Sequence, residues 1–361
     1  MHQKSEMTQG MKKKRDLSLD IAKGICISLM VLCHAGCPGW LSRFVYMFHM
    51  PCFFFISGYL LSDRYLIEAK SGICKKLKGY YSPFVKWTLI FLFLHNVFTY
   101  LHIYETSYTW QETTIRILRI ITMTGGEQLL GGYWFLISLT WASIGSILIL
   151  SFLHNKSLLT NIYIMGGGVI LALLIASTEH SLPFGLPAQF GSQTFLALAF
   201  FMSGYMYRKT GWNRNESLTW LCIPLLLLPA VASIFLSLSM SSAQSLSWLY
   251  YLVALSGTLG FIQFTKKLQH GRIVIFFNYI GNKTLYILTF HFLAFKLINY
   301  IWIKGHDLPI SFLSQFPVLQ ETNSWMWIAY TIAGIALPLL IWELFHLPIW
   351  NIKKLKNKSI C

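Results

Sequence analysis

Two apolar runs near the start of the chain, 17–36 and 44–62, carry groups that hydrocarbon rejects. These are Asp20, Lys23 and His34 in the first run and His49 in the second. Eight more runs follow near 81–101, 129–151, 158–177, 193–208, 217–238, 245–265, 279–301 and 325–346. A bilayer core takes roughly 20 apolar residues per helix. The pattern therefore predicts an all-α polytopic membrane protein with ten transmembrane helices, the sixth of them short. The expected organisation is a basic tail over 1–15, a ten-helix domain over 16–350 and a second basic tail over 351–361. No small-residue cleavage site follows the first run, so it reads as a retained span and not a signal peptide.

Composition agrees with this pattern. Of 361 residues, 55% are hydrophobic and 12% charged, against about 25% charged in soluble domains. The formal charge of +16 does not point to nucleic acid, because the cations fall on alternate connections. One set holds Lys12–Arg15, then Arg64, Lys70, Lys75, Lys76 and Lys78, then Lys156, Arg208, Lys209, Arg214, Lys266, Lys267 and Arg272, and finally Lys353–Lys358. The other set holds only Arg43, Arg116, Arg119 and Lys304. Cytoplasmic loops carry the Lys/Arg excess, which places both termini in the cytoplasm and the basic loops beside anionic lipid. Two outer connections exceed a turn. Glu105–Met123 alternates Trp110, Ile115, Leu118 and Ile121 with Arg116 and Arg119, as an interfacial amphipathic helix does. Lys304–Ser324 holds two prolines and several aromatics and is expected along the outer surface; either stretch can equally be a plain connector. No convincing internal repeat is found, which disfavours inverted-repeat transporter folds.

An ionisable group at membrane depth is a functional candidate by default. Lys23 and His34 are 11 residues apart, nearly three helical turns, which puts them on one face about 16 Å apart. Asp20, three residues before Lys23, can pair with it. Imidazole can take and give a proton near neutral pH, which suits activation of a hydroxyl; a histidine packed on a carbonyl is the plainer alternative. Pro51 should kink the second run next to His49, which reads as either a catalytic partner or a structural hydrogen-bond donor. Ser57 and Gly58 form a small patch that admits close approach. Lys75, Lys76 and Lys78, in a loop after the second run, can hold topology, meet lipid or bind the phosphates of an anionic cosubstrate. Glu127 and Trp134 are candidates for an outer vestibule, His291 is a buried polar candidate, and Glu343 and His346 are spaced to pair. The seven cysteines include no CxxC pair, and Cys33 and Cys37 around His34 match no zinc spacing, so no metal site is expected.

These residues resemble the membrane acyltransferase 3 family of bacterial O-acyltransferases. The resemblance rests on RDLSLDIAKG…LCHAG, FHMPCFFFISGYL and KKLKGYYSPF, and further along on YWFLISL, FFMSGYMYRK and YIGNKTLYILTFH. The family pattern of a basic residue, ten intervening residues and a histidine falls on Lys23 and His34. Its FFxxSG pattern falls on Phe53, Phe54, Ser57 and Gly58, and its RxxR-like motif on Lys75–Lys78, where this chain has lysines. The resemblance implies transfer of an acyl group, usually acetyl, from acyl-CoA to a sugar hydroxyl of a cell-surface glycan or its lipid-linked precursor at the bacterial inner membrane. Acyl-CoA would be a cosubstrate, with no permanently bound cofactor. His34 would act as general base or transient acyl carrier, with His49 as its partner, and His49 and His291 would stabilise the oxyanion or fix the His34 tautomer. Asp20, Lys23, Ser57, Lys75, Lys76 and Lys78 would serve the donor, and Glu127, Trp134 and His291 the acceptor or the oxyanion. A glycan or anion transporter, or a non-catalytic polysaccharide-assembly subunit, are the competing classes. Acyl identity, acceptor and oligomeric state are not legible.

Overall fold

A computed structural model describes residues 16–153, 157–178, 191–212, 220–243, 246–268 and 271–358. The expected tail over 1–15, Lys156 and Arg214 lie outside these residues. Among the described residues the regular structure is entirely helical. The first run forms α1 (Leu17–His34), capped by Asp16, whose side chain accepts from the Ser18 amide at 3.1 Å. The second run is broken into α2 (Gly39–Tyr46) and α3 (His49–Tyr59). In an unbroken helix the Pro51 ring would meet the carbonyl of Met47. The chain breaks at Met47–Phe48 instead and seats Pro51 in the first turn of α3.

The expected basic loop is itself helical, a correction to the sequence reading. It comprises α4 (Arg64–Ile67), α5 (Ala69–Lys76) and one π-helical stretch, Leu77–Tyr81, that runs straight into α6 (Ser82–Tyr100). The outer amphipathic segment is α7 (Trp110–Ile121), started by a Thr109–Glu112 capping box. Its Trp110, Ile115, Leu118 and Ile121 are exposed. A 3-10 turn, Gln128–Tyr133, leads into α8 (Trp134–Leu153), followed by α9 (Leu158–Thr178), α10 (Ser192–Lys209), α11 (Cys222–Phe235) and α12 (Ser247–Lys267). The ninth run is also broken, into α13 (Arg272–Gly281) and α14 (Thr284–Gly305). The last helix, α15 (Met326–Lys358), runs through the boundary at 350 expected for a separate basic tail.

Each expected span overlaps helix among the described residues, where four segments are long and apolar enough to cross a membrane: Leu17–His34, Gln128–Phe152, Thr284–Gly305 and Met326–His346. Large apolar side chains such as Phe93, Tyr100, Phe152, Ile170, Phe235 and Leu344 cover the outside of the bundle, the surface of a membrane protein.

Helix α1 stands at the centre, packed by α2, α3, α12, α13, α14 and α15. That position explains how it carries charge: its polar groups face protein. Two reciprocal glycine contacts set the tightest crossings. A Cβ on Gly24 would lie 1.9 Å from the carbonyl oxygen of Phe277, and one on Gly281 would lie 1.9 Å from that of Asp20. Between α3 and α10 a Cβ on Gly58 would lie 1.8 Å from the oxygen of Phe201, and one on Gly204 would lie 1.9 Å from that of Phe55. The second contact is isologous in sequence too, since FFISGY (54–59) and FFMSGY (200–205) occupy matching places. The match is a six-residue motif, legible in the sequence, whose two copies pack against each other in the fold.

Candidate functional site

His34 ends α1 and meets His291 in the middle of α14. His34 Nδ1 lies 3.0 Å from His291 Nε2. His291 Nδ1 in turn lies 3.0 Å from the Ile287 carbonyl and 3.1 Å from that of Leu288. A carbonyl only accepts, so the neutral His291 carries its proton on Nδ1 and presents a lone pair at Nε2. His34 must then donate from Nδ1, which leaves its Nε2 as the unprotonated nitrogen. The Phe292 ring stacks on the His34 ring, with centroids 5.0 Å apart and planes 18° apart, and fixes its face.

His49 opens α3, and its Nδ1 donates to the Val45 carbonyl at 2.8 Å, across the helix break. This satisfies a C-terminal carbonyl of α2 and directs the other nitrogen, Nε2, to act as an acceptor. His34 and His49 line one cavity of about 370 Å³, together with Met30, Arg43, Tyr46, Trp134 and a serine-rich segment, 237–242. Two imidazole acceptors thus share a cavity whose rim of hydroxyls, aromatics and one guanidinium suits a polyhydroxylated ligand. Neutral His49 and His291 have no ring donor to spare for an oxyanion, so that part of the sequence expectation does not fit. Their geometry fits acceptance from a hydroxyl and fixing of the His34 tautomer.

A second cavity of about 260 Å³ lies at the opposite end of α1 and is lined by Lys23, Ser57, Lys76, Gly79, Tyr80 and Thr284, among others. Lys23 pairs with the buried Asp20 at 2.7 Å. Lys76 donates to the Tyr80 hydroxyl at 3.2 Å and lies over the Phe201 ring. Ser57 donates back to the Phe53 carbonyl at 2.8 Å. Lys75 sits over Tyr65, and neither it nor Lys78 lines this cavity. The Lys75–Lys78 set therefore divides, because on a helix only Lys76 turns inward.

Glu127 is displaced from its expected role. Its carboxylate accepts from His95 Nδ1 at 2.9 Å, and His95 stacks on Tyr108 with centroids 3.4 Å apart. This cluster clamps the connection between α6 and α7 and does not line the His34 cavity. Trp134 does line it. The expected Glu343–His346 pair is replaced too: Glu343 accepts from Tyr279, and His346 donates to the Trp342 carbonyl at 2.8 Å. Lys296 reaches the carbonyls of Leu313 and Gln315, at 2.7 and 2.6 Å, and ties the connection after α14 to the bundle. Arg43, Tyr46 and the serines of 237–242 escaped the sequence reading. Nothing in their local sequence marks them as site residues until the fold brings them to His34.

No solved structure matches the chain significantly. Two curated relatives do: Nodulation protein NolL of Mesorhizobium japonicum, 29% identical over 168 residues, and Nodulation protein NolL of Sinorhizobium fredii, 27% identical over 175 residues. The matches cover 43% and 44% of this chain, which spans only 40% and 42% of those relatives' lengths. A family model described as an acyltransferase domain matches residues 16–343, from the cap of α1 to the middle of α15 and including every residue of both cavities. The chain belongs to this acyltransferase family, Acyl_transf_3.

Proposed function

We propose that this protein is an integral-membrane O-acyltransferase. It moves an acyl group, with acetyl the expected one, from acyl-CoA to a sugar hydroxyl of a cell-surface polysaccharide or its lipid-linked precursor. The membrane is the bacterial inner membrane, crossed ten times with both termini inside. Family membership supports the reaction class. The observation that carries the residue assignment is the His291–His34 relay, which leaves His34 Nε2 as a free base beside a hydroxyl-rich cavity.

The donor's phosphates rest at the basic end, near Lys23 and Lys76, and its thin arm runs along α1 toward His34. The acceptor enters the other cavity and donates its hydroxyl proton to His34 Nε2 as its oxygen attacks the thioester carbonyl carbon. A C–O bond forms, the C–S bond breaks as the tetrahedral intermediate collapses, and the proton leaves with the CoA thiol. His34 returns to its starting tautomer. His49 Nε2 accepts from a neighbouring hydroxyl and orients the ring.

The test is to incubate purified protein with labelled acetyl-CoA and surface polysaccharide from cells lacking it. Acceptor-dependent release of CoA with labelled glycan is expected, and both should fall by about 10²- to 10⁴-fold in His34→Ala at unchanged protein level. Transfer that survives this substitution undiminished would remove His34 from the reaction.

A further inference from the structure

The two cavities adjoin: among the described residues, only Met30, Met50 and Leu288 line both of them. Each stands beside one of the three histidines: Met30 one turn before His34, Met50 directly after His49, and Leu288 three residues before His291. Met30 and Leu288 are buried and Met50 half-buried. The three carry no hydrogen-bonding proton and no charge. A donor that keeps its head at Lys23 and brings its thioester to His34 passes these side chains, and its acyl end arrives within a turn of them.

We propose that Met30, Met50 and Leu288 form an apolar throat that selects the acyl group of the donor, admitting a short uncharged chain and rejecting a longer or carboxylate-bearing one. This rests on the acyl-CoA reading above. Two physical arguments support it. An extra methylene in a close-fitting apolar site changes discrimination by about 10- to 200-fold. A carboxylate-ended chain such as succinyl would lose its water there without gaining a partner. The thioether side chains are the adjustable part, because methionine is unbranched and rotates freely. They can part for the arm and close on the acyl end.

The experiment measures CoA release by the full-length protein in lipid nanodiscs. Acetyl-, propionyl-, butyryl- and succinyl-CoA are compared as donors, with surface polysaccharide from cells lacking the protein as acceptor. Wild type should prefer acetyl over butyryl by about tenfold or more, with succinyl poorer still. Met30→Ala and Met50→Ala should raise the butyryl-to-acetyl ratio by about tenfold, and Met50→Phe should lower the propionyl-to-acetyl ratio. Butyryl or succinyl used by wild type as well as acetyl overturns the throat without any variant. So does an unchanged ratio in both alanine variants that remain folded. Release of CoA from no donor at all by wild type instead overturns the acyl-CoA reading on which the throat depends.

Discussion

His34 Nδ1 and His291 Nε2 lie 3.0 Å apart, and the two carbonyls behind His291 decide which of them donates. The base is made by a proton chain and not by one side chain. His34→Ala should lower kcat by about 10²- to 10⁴-fold, the range of a general base. His291→Ala should lower it less and leave the donor KM alone, since the ring would turn without leaving. Restoration of turnover by His291→Gln, whose amide oxygen can accept from His34, would separate positioning from packing; His291→Ala with wild-type kcat would dismiss the relay.

Lys23 and Asp20 are a buried pair at 2.7 Å, with the lysine side chain 21% exposed. Removing the lysine takes one partner from the buried carboxylate, which is destabilising. Lys23→Ala should therefore lose stability, and adding Asp20→Asn should recover part of it. In the folded double variant the KM for acyl-CoA should rise while the acceptor KM stays. Equal donor KM in wild type and double variant would take Lys23 out of the donor site.

Gly58 and Gly204 lock α3 to α10. A methyl group at either place would meet a backbone oxygen of the partner helix at 1.8 or 1.9 Å. Overpacking costs about 1–3 kcal/mol, occasionally more. Gly58→Ala and Gly204→Ala should each lower the yield of monodisperse protein in detergent. Gly166→Ala, where nothing lies within 4 Å, should not. Similar yields for all three would refute the close crossing.

Asp63, beyond the end of α3, accepts from Tyr205, Arg208 and Lys209 of α10 at 3.1, 2.8 and 3.0 Å. Partial burial raises its pKa, but the Lys209 hydrogen bond, the charges of Arg208 and Lys209 and the Tyr205 bond outweigh it, and the carboxyl is held below its usual range. A depressed carboxyl contributes stability above its unfolded pKa, about 3.9, and loses that contribution as pH falls through its lower folded pKa. The difference in melting midpoint between wild type and Asp63→Asn should be constant from neutral pH down to about pH 5 and shrink below about pH 4. A difference that shrinks on raising the pH instead would contradict the pairing.

The apolar pattern by itself placed most of the helices, put Lys23 and His34 on one face of the first and made Asp20 the partner of Lys23. Burying a period-3.6 stripe and excluding unpaired charge from lipid leave a chain few other choices. Pro51 signalled the break beside His49, but the apolar pattern was blind to the one at Asn282, because a broken helix and a whole one share hydropathy. It was also blind to which loop lysine turns inward, since that depends on the helical phase of α5. Glu127 read as a vestibule residue because its partner His95 lies 32 positions away. Only the tertiary structure decided that His291 sets the His34 tautomer, across 257 positions, and that Met30, Met50 and Leu288 stand between two cavities. Hydrogen bonds and shared walls are properties of distance in space, and no local spacing along the chain encodes them.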